Sequence, residues 1–245
     1  MISRRSVPAG ITLAALLTVL LAAGAARAQS LRVMPVNIQM QPGQRATTLT
    51  VINEGEAVTA IQVRAYAWNQ TDGTDQLTDT DELLASPPLV SIAAGETQVV
   101  RLVLRRTPKG RESTYRILLD QIPAVASPGM VQVVMRMSIP VFAEPATRAI
   151  PHLQFHIERN AEKAYLIAVN DGLRHEAIRD VMLSAGDGRL LKNGSSASPY
   201  VLAGATRRWL IDAQSPLPPT GESLHMKAHA DAGAIDQQVR VVGIP

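Results

Sequence analysis

Apolar and polar positions along this chain alternate with a period of two. Thr47–Asn53 is rich in β-branched side chains and stops at the turn-forming run Asn53-Glu54-Gly55-Glu56. Ala60–Trp68 alternates and stops at Asn69–Gly73. Thr97–Leu104 sets Val99, Arg101 and Val103 against Val100, Leu102 and Leu104. Thr114–Asp120 and Val131–Val141 read the same way. Strand signals resume at Leu153–Ile157, Ala164–Asn170, Ala177–Ser184, Thr206–Asp212, Ser223–Ala230 and Gln237–Val242. Turn clusters such as Asn170-Asp171-Gly172 and Gly186-Asp187-Gly188 separate the later strands. Short strands punctuated every ~10 residues predict an all-β sandwich. One segment, Asp79–Ala85, predicts a brief helical turn that runs into Pro87-Pro88.

A break falls at Glu144–Pro151, where Pro145 and Pro151 bracket Ala146-Thr147-Arg148, and it reads as a short linker between two sandwiches. At the other end, Arg4 and Arg5 precede the apolar run Ile11–Ala26, and Ala26-Arg27-Ala28 supplies a small-x-small cleavage pattern. This is the pattern of a secretory signal peptide. A membrane anchor is the competing reading, but the run is shorter than the ~20 residues of a span. The predicted organisation is a signal peptide (1–28), an N-terminal sandwich (29–145) and a C-terminal sandwich (146–245). The mature chain is expected outside the cytoplasm, with no membrane insertion.

Removing residues 1–28 changes the charge. The chain has 24 Lys and Arg against 21 Asp and Glu. Three Arg and no acid lie in the leader, which leaves 21 against 21. That balance, with only 3% aromatic residues, removes the electrostatic and stacking support for a nucleic-acid partner. The absence of cysteine excludes disulfides, thiol nucleophiles and zinc–thiolate sites.

Catalytic motifs are lacking as well. There is no G-x-S-x-G elbow, phosphate-binding loop, G-x-G-x-x-G or H-E-x-x-H. His152 and His156, like His225 and His229, are four apart, but on a strand that spacing is about 13 Å, too far for one ion. Asp72, Asp75, Asp79 and Asp81 form an acidic segment without calcium-loop spacing, read as a solvated loop. The expectation is a binding protein rather than an enzyme, with no cofactor and no metal.

The order of motifs from Leu31 to Pro145 resembles the periplasmic chaperones of chaperone–usher pilus assembly. Leu31–Ile38, with Pro35-Val36, resembles their first strand, and Thr48–Asn53 the second, which ends in Asn. Ser86-Pro87-Pro88 to Gly95, followed by Val99-Val100-Arg101-Leu102, resembles the proline pair, turn and "VRL" strand. Arg111-Glu112-Ser113-Thr114-Tyr115-Arg116 to Gln121-Ile122-Pro123 resembles the "RES…Y…IP" strand, and Val131–Pro145 the last strand. Beyond residue 150 the likeness rests on β pattern and length. The resemblance implies two immunoglobulin-like β-sandwich domains set in an L. It implies pilus subunits and an outer-membrane usher as partners, a periplasmic location, and a self-capping dimer as one state of the free protein. The rival reading is a secreted two-domain sandwich adhesin or matrix-binding protein.

A pilus subunit lacking one strand must borrow one whose alternate side chains fill its open groove. Val131, Val133, Met135 and Met137 have that spacing, with Gln132, Val134, Arg136 and Ser138 on the other side. A core strand has the same period; the resemblance favours the donor strand. Methionine suits varied grooves, and Pro123–Gly129 makes a loop leading into the strand. Best-known family members grip the subunit's terminal carboxylate with one Arg and one Lys. The matching positions here are Asn37 and Pro140, neither cationic. With Pro140-Val141-Phe142 ending the donor strand, the chain looks like the archaic branch. The Tyr115-Arg116 pair then makes Arg116 the candidate carboxylate anchor, with Arg101 and Arg136 as alternatives. A solvated strand arginine is the bland reading of the same residue.

Overall fold

A computed structural model describes residues 31–123, 133–192, 198–211 and 217–244. The predicted leader, Val131 and Gln132, and the Pro123–Gly129 loop beyond Pro123 lie outside the described residues. Ten strands precede the linker: β1 (Leu31–Met34), β2 (Ile38–Met40), β3 (Ala46–Asn53), β4 (Thr59–Thr71), β5 (Thr74–Asp79), β6 (Leu83–Ser86), β7 (Leu89–Ile92), β8 (Thr97–Leu104), β9 (Ser113–Ile122) and β10 (Arg136–Ala143). Eight follow it: β11 (Leu153–Arg159), β12 (Ala164–Asn170), β13 (Glu176–Ser184), β14 (Leu190–Lys192), β15 (Tyr200–Val201), β16 (Ala205–Leu210), β17 (Ser223–Ala230) and β18 (Gly233–Gly243). No helix occurs among the described residues.

The first sandwich packs the sheet β1-β3-β8-β6 on the sheet β2-β10-β9-β4-β5, with β7 beside β4. Its core is the alternation read from the sequence. Leu49 and Val51, Val100, Leu102 and Leu104, Ile61 and Val63, and Tyr115, Ile117 and Leu119 all point inward and are buried. Each such aliphatic side chain stabilises the fold by about 1.5–3 kcal/mol. The second core gathers Ile157, Leu166, Leu183, Trp209, Leu224, Met226, Val239 and Val241. Its two layers share β18, whose first eight residues pair with β17 and whose last three pair with β11. A buried Asn closes a turn in each sandwich. Asn53 Nδ2 donates to the carbonyls of Ala57, Ile92 and Ala93, and Asn170 Nδ2 to those of Arg174 and Val201.

Two expectations fail locally. Asp79–Ala85 is not a helical turn, because Leu83 is buried and pairs with Leu104 to begin β6. The ladder satisfies backbone groups and the core takes the side chain, which one exposed turn of helix could not do. Nor does β4 stop at Asn69. It runs on to Thr71 and returns as β5 through Asp72-Gly73, both with positive φ (52° and 77°). That is the backbone a two-residue hairpin demands, and Asp-Gly adopts it readily. The hairpin tip reaches the second sandwich: a Cβ on Gly73 would lie 2.5 Å from Arg208 Cγ.

Candidate functional site

The cleft between the sandwiches is built on one row of the second sheet. Val141 is opposite Ile38, so Pro140 neighbours Asn37; Pro140 is opposite Arg116, and Arg116 is opposite Tyr66. The two positions that lack the family's usual cations therefore lie in register with Arg116, which is one strand further in. Even-numbered residues of β9 point away from the first core, so Arg116 faces the cleft. Its guanidinium carbon lies 3.7 Å from the centre of the Trp68 ring and 5.8 Å from that of Tyr200. Its Nη2 donates to Ser198 Oγ at 3.4 Å. Among the described residues no carboxylate lies within ion-pairing distance of it. Burial pulls the Arg116 guanidinium below its ordinary pKa; the charges of Asp75 and Tyr200 oppose this and that of Arg207 adds to it.

The floor of the cleft is an aromatic joint. Phe142 stacks on His175 with ring centres 3.5 Å apart and planes at 8°. Trp68 and Tyr200 complete the cluster, with Leu202 beneath them. Glu112, from the Arg111-Glu112-Ser113 segment, reaches across. Its Oε2 accepts from the backbone N–H of His175 at 2.9 Å and from the ring Nδ1–H at 2.7 Å. Both side chains are almost fully buried, 0% and 2% exposed. Gln70 spans the same joint, donating to Tyr200 O and accepting from Leu202 N. Arg174 pairs with Glu144 at 3.3 Å.

The other predicted residues fall in separate places. Arg101 is exposed on the opposite sheet, facing neither the cleft nor β10. Arg136 begins β10 and pairs with Asp120, which also takes Arg64 at 2.7 Å. Val133 is 84% and Met135 37% exposed, whereas Met137 packs against the first core. The described strand starts at Arg136, later than the predicted Val131–Val141. At Met135 the ladder is taken over in part by a side chain: Met135 N donates to Gln121 Oε1, while Met135 O accepts from Gln121 N. β2 covers the outer edge of β10 only at Val141–Ala143, so Arg136–Pro140 presents an open edge among the described residues.

The acidic segment is not a solvated loop throughout. Asp75 and Asp79 lie on β5, and Asp75 Oδ1 accepts from Arg207 Nη1 of the second sandwich at 2.9 Å. The four histidines read as strand residues face four different carboxylates: His152 faces Asp171, His156 Glu158, His225 Asp236 and His229 Asp180. Sequence reasoning passed over His175 and Arg207. Only their partners stood out, Glu112 in a motif and Asp75 in an acidic cluster.

A cleft of this kind between two immunoglobulin-like sandwiches, beside an open edge strand, is the architecture of a pilus-assembly chaperone. Residues 30–149 match the family described as pili and flagellar-assembly chaperone, PapD N-terminal domain. The family is one of chaperones, not of enzymes. The fold is shared with the CsuC–CsuE chaperone–tip adhesion subunit pre-assembly complex from archaic chaperone–usher Csu pili of Acinetobacter baumannii. That match has 23% identity and a TM-score of 0.64, over 88% of this chain and 100% of that one. The YadV chaperone matches at 18% identity and TM-score 0.61, over 86% and 98%. The complex of Salmonella enterica SafA pilin with the SafB chaperone matches at 15% and 0.59, over 89% and 98%. No curated protein matches the sequence significantly.

Proposed function

We propose that this protein is a periplasmic chaperone that caps pilus subunits by strand donation and passes them to an outer-membrane usher. The observation that carries the reading is the open edge of β10, which runs from exposed Val133 and Met135 towards Arg116, a half-buried cation without a carboxylate partner among the described residues. A subunit strand that pairs along Arg136–Pro140 satisfies its backbone groups there, and the apolar side chains ahead of it enter the subunit's groove. Its terminal carboxylate then meets the Arg116 guanidinium, whose planar fork suits bidentate binding. Of the four residues read as donors, Val133 and Met135 fill the groove within the described segment, and Met137 supports them from the chaperone's own core. Asn37 and Pro140 in place of cations favour the archaic branch. The solved relatives held with a tip adhesion subunit and with a pilin support capture as the activity. The protein acts by binding, not by catalysis, and release follows from exchange for a better-fitting strand.

Amide exchange on the protein co-expressed with a pilus subunit tests this. Complex formation is expected to protect the backbone from Val133 to Ile139. A complex that leaves those amides as exposed as in the free protein refutes strand donation by β10.

A further inference from the structure

Tyr200 enters the cleft from the second sandwich. Its neighbour in β15, Val201, is buried in the second core, so strand alternation turns Tyr200 the other way, towards Arg116. The ring is held on three sides. It stands edge-on to Trp68 with centres 5.6 Å apart, and its centre lies 5.2 Å from that of Phe142 and 5.7 Å from that of His175. Gln70 Nε2 fixes the backbone, donating to the Tyr200 carbonyl at 2.8 Å. The hydroxyl oxygen accepts from Asn37 Nδ2 at 3.3 Å. Asn37 Oδ1 is buried without a donor, so that one bond is the amide's whole contact with the hydroxyl. Among the described residues nothing accepts the hydroxyl's own hydrogen. Asn37 neighbours Pro140, and Pro140 is opposite Arg116, so the hydroxyl lies on the row that carries the anchor. The Tyr200 ring centre is 5.8 Å from the Arg116 guanidinium carbon.

We infer that the Tyr200 hydroxyl is the second half of the carboxylate grip, donating to one oxygen of a subunit's terminal carboxylate while Arg116 binds the other. The inference rests on the reading of Arg116 as the anchor. Hydrogen bonds to a carboxylate are about 2.5–2.9 Å long, and its two oxygens offer about four lone-pair sites. A carboxylate set between the guanidinium and the hydroxyl therefore serves both. Asn37 brings no charge, but it occupies the hydroxyl's acceptor side, and a hydroxyl that accepts one bond donates the next more strongly. A second cation on this row would repel Arg116 in a cleft of reduced dielectric. A neutral donor adds a bond without that repulsion. The grip is then shared, with the arginine from the first sandwich and the tyrosine from the second, so capture of the terminus requires the two to be docked.

The probe is an acetylated peptide of alternating valine and threonine, as the free acid and as the C-terminal amide. The ratio of the two affinities reads the grip on the carboxylate. With two donors to a charged group, the native protein is expected to prefer the acid about a hundredfold. Tyr200→Phe keeps the ring against Trp68 and Phe142 and removes only the hydroxyl. It is expected to lower the preference about tenfold, entirely through weaker binding of the acid. A Tyr200 that merely joins the domains predicts that acid and amide weaken together or not at all, and either result overturns the inference. Arg116→Ala separates the two levels. If it keeps the full preference, the anchor reading itself falls; if it lowers the preference while Tyr200→Phe does not, Arg116 is the anchor and Tyr200 has no part in the grip.

Discussion

In the proposed role of anchor, Arg116 is a side chain prepared for a partner by its neighbours. Trp68 presents an aromatic face to the guanidinium, an interaction worth about 0.5–2 kcal/mol. The ring holds the charge in place without consuming its hydrogen bonds. A carboxylate arriving there meets a cation already partly stripped of water. Arg116→Ala is expected to weaken subunit capture by about 2–5 kcal/mol while leaving the melting temperature nearly unchanged. Co-purification of normal amounts of subunit with the folded variant would remove Arg116 from the role. Arg116→Lys is expected to recover only part of the affinity, because an ammonium lacks the planar fork and the stacking surface. Arg116 itself was legible in the sequence through the Tyr115-Arg116 pair. Its surroundings were not: Tyr200 and Ser198 lie some eighty positions away, and no periodicity links them to β9.

At the scale of the element, β10 and the residues that lead into it lie in two environments. Ile139, Val141 and Ala143 fill the first core, while Val133 and Met135, on the same parity, lie beyond its edge. Met135→Asp is expected to abolish subunit binding, since a charge in an apolar groove costs several kcal/mol (about 2–7). The free protein should keep its melting temperature. Met137→Asp should instead destabilise the free protein by about 1–3 kcal/mol, because that side chain packs against the core. Equal effects of the two variants on thermal unfolding would place Met135 in the core and dismiss it as a donor. The start of β10 is also tethered electrostatically. Burial pushes the Asp120 carboxyl up, but hydrogen bonds and charge from Arg136 and Arg64 outweigh it and hold the pKa below the usual range. A folded value below the unfolded one stabilises above the ordinary carboxylate pKa, and that contribution is lost as pH falls through the folded value. Amide protection at Arg136–Ser138 is therefore expected to drop in acid, and Asp120→Asn to remove the pH dependence.

Across the whole molecule, the two sandwiches are coupled by polar groups set into an aromatic cluster. Glu112→Ala would leave the backbone N–H and ring N–H of His175 without an acceptor, each costing about 1–3 kcal/mol when buried. Calorimetry of the native protein is expected to give one transition and of Glu112→Ala two, as the domains uncouple; one unshifted transition in the variant would show that the joint carries no stability. Period-two patterning sufficed to locate most of the strands, and β12 and β17 fall where it placed them, because alternation is dictated by one buried face and one wet face. It could not place β5, which is exposed throughout and carries no alternation in burial. Nor could it show that Asp75 and Arg207, or Glu112 and His175, would meet. Local pattern records which side of its own strand a residue occupies. Which strands become neighbours, and so which charges pair across the cleft, is decided only when the two sandwiches dock.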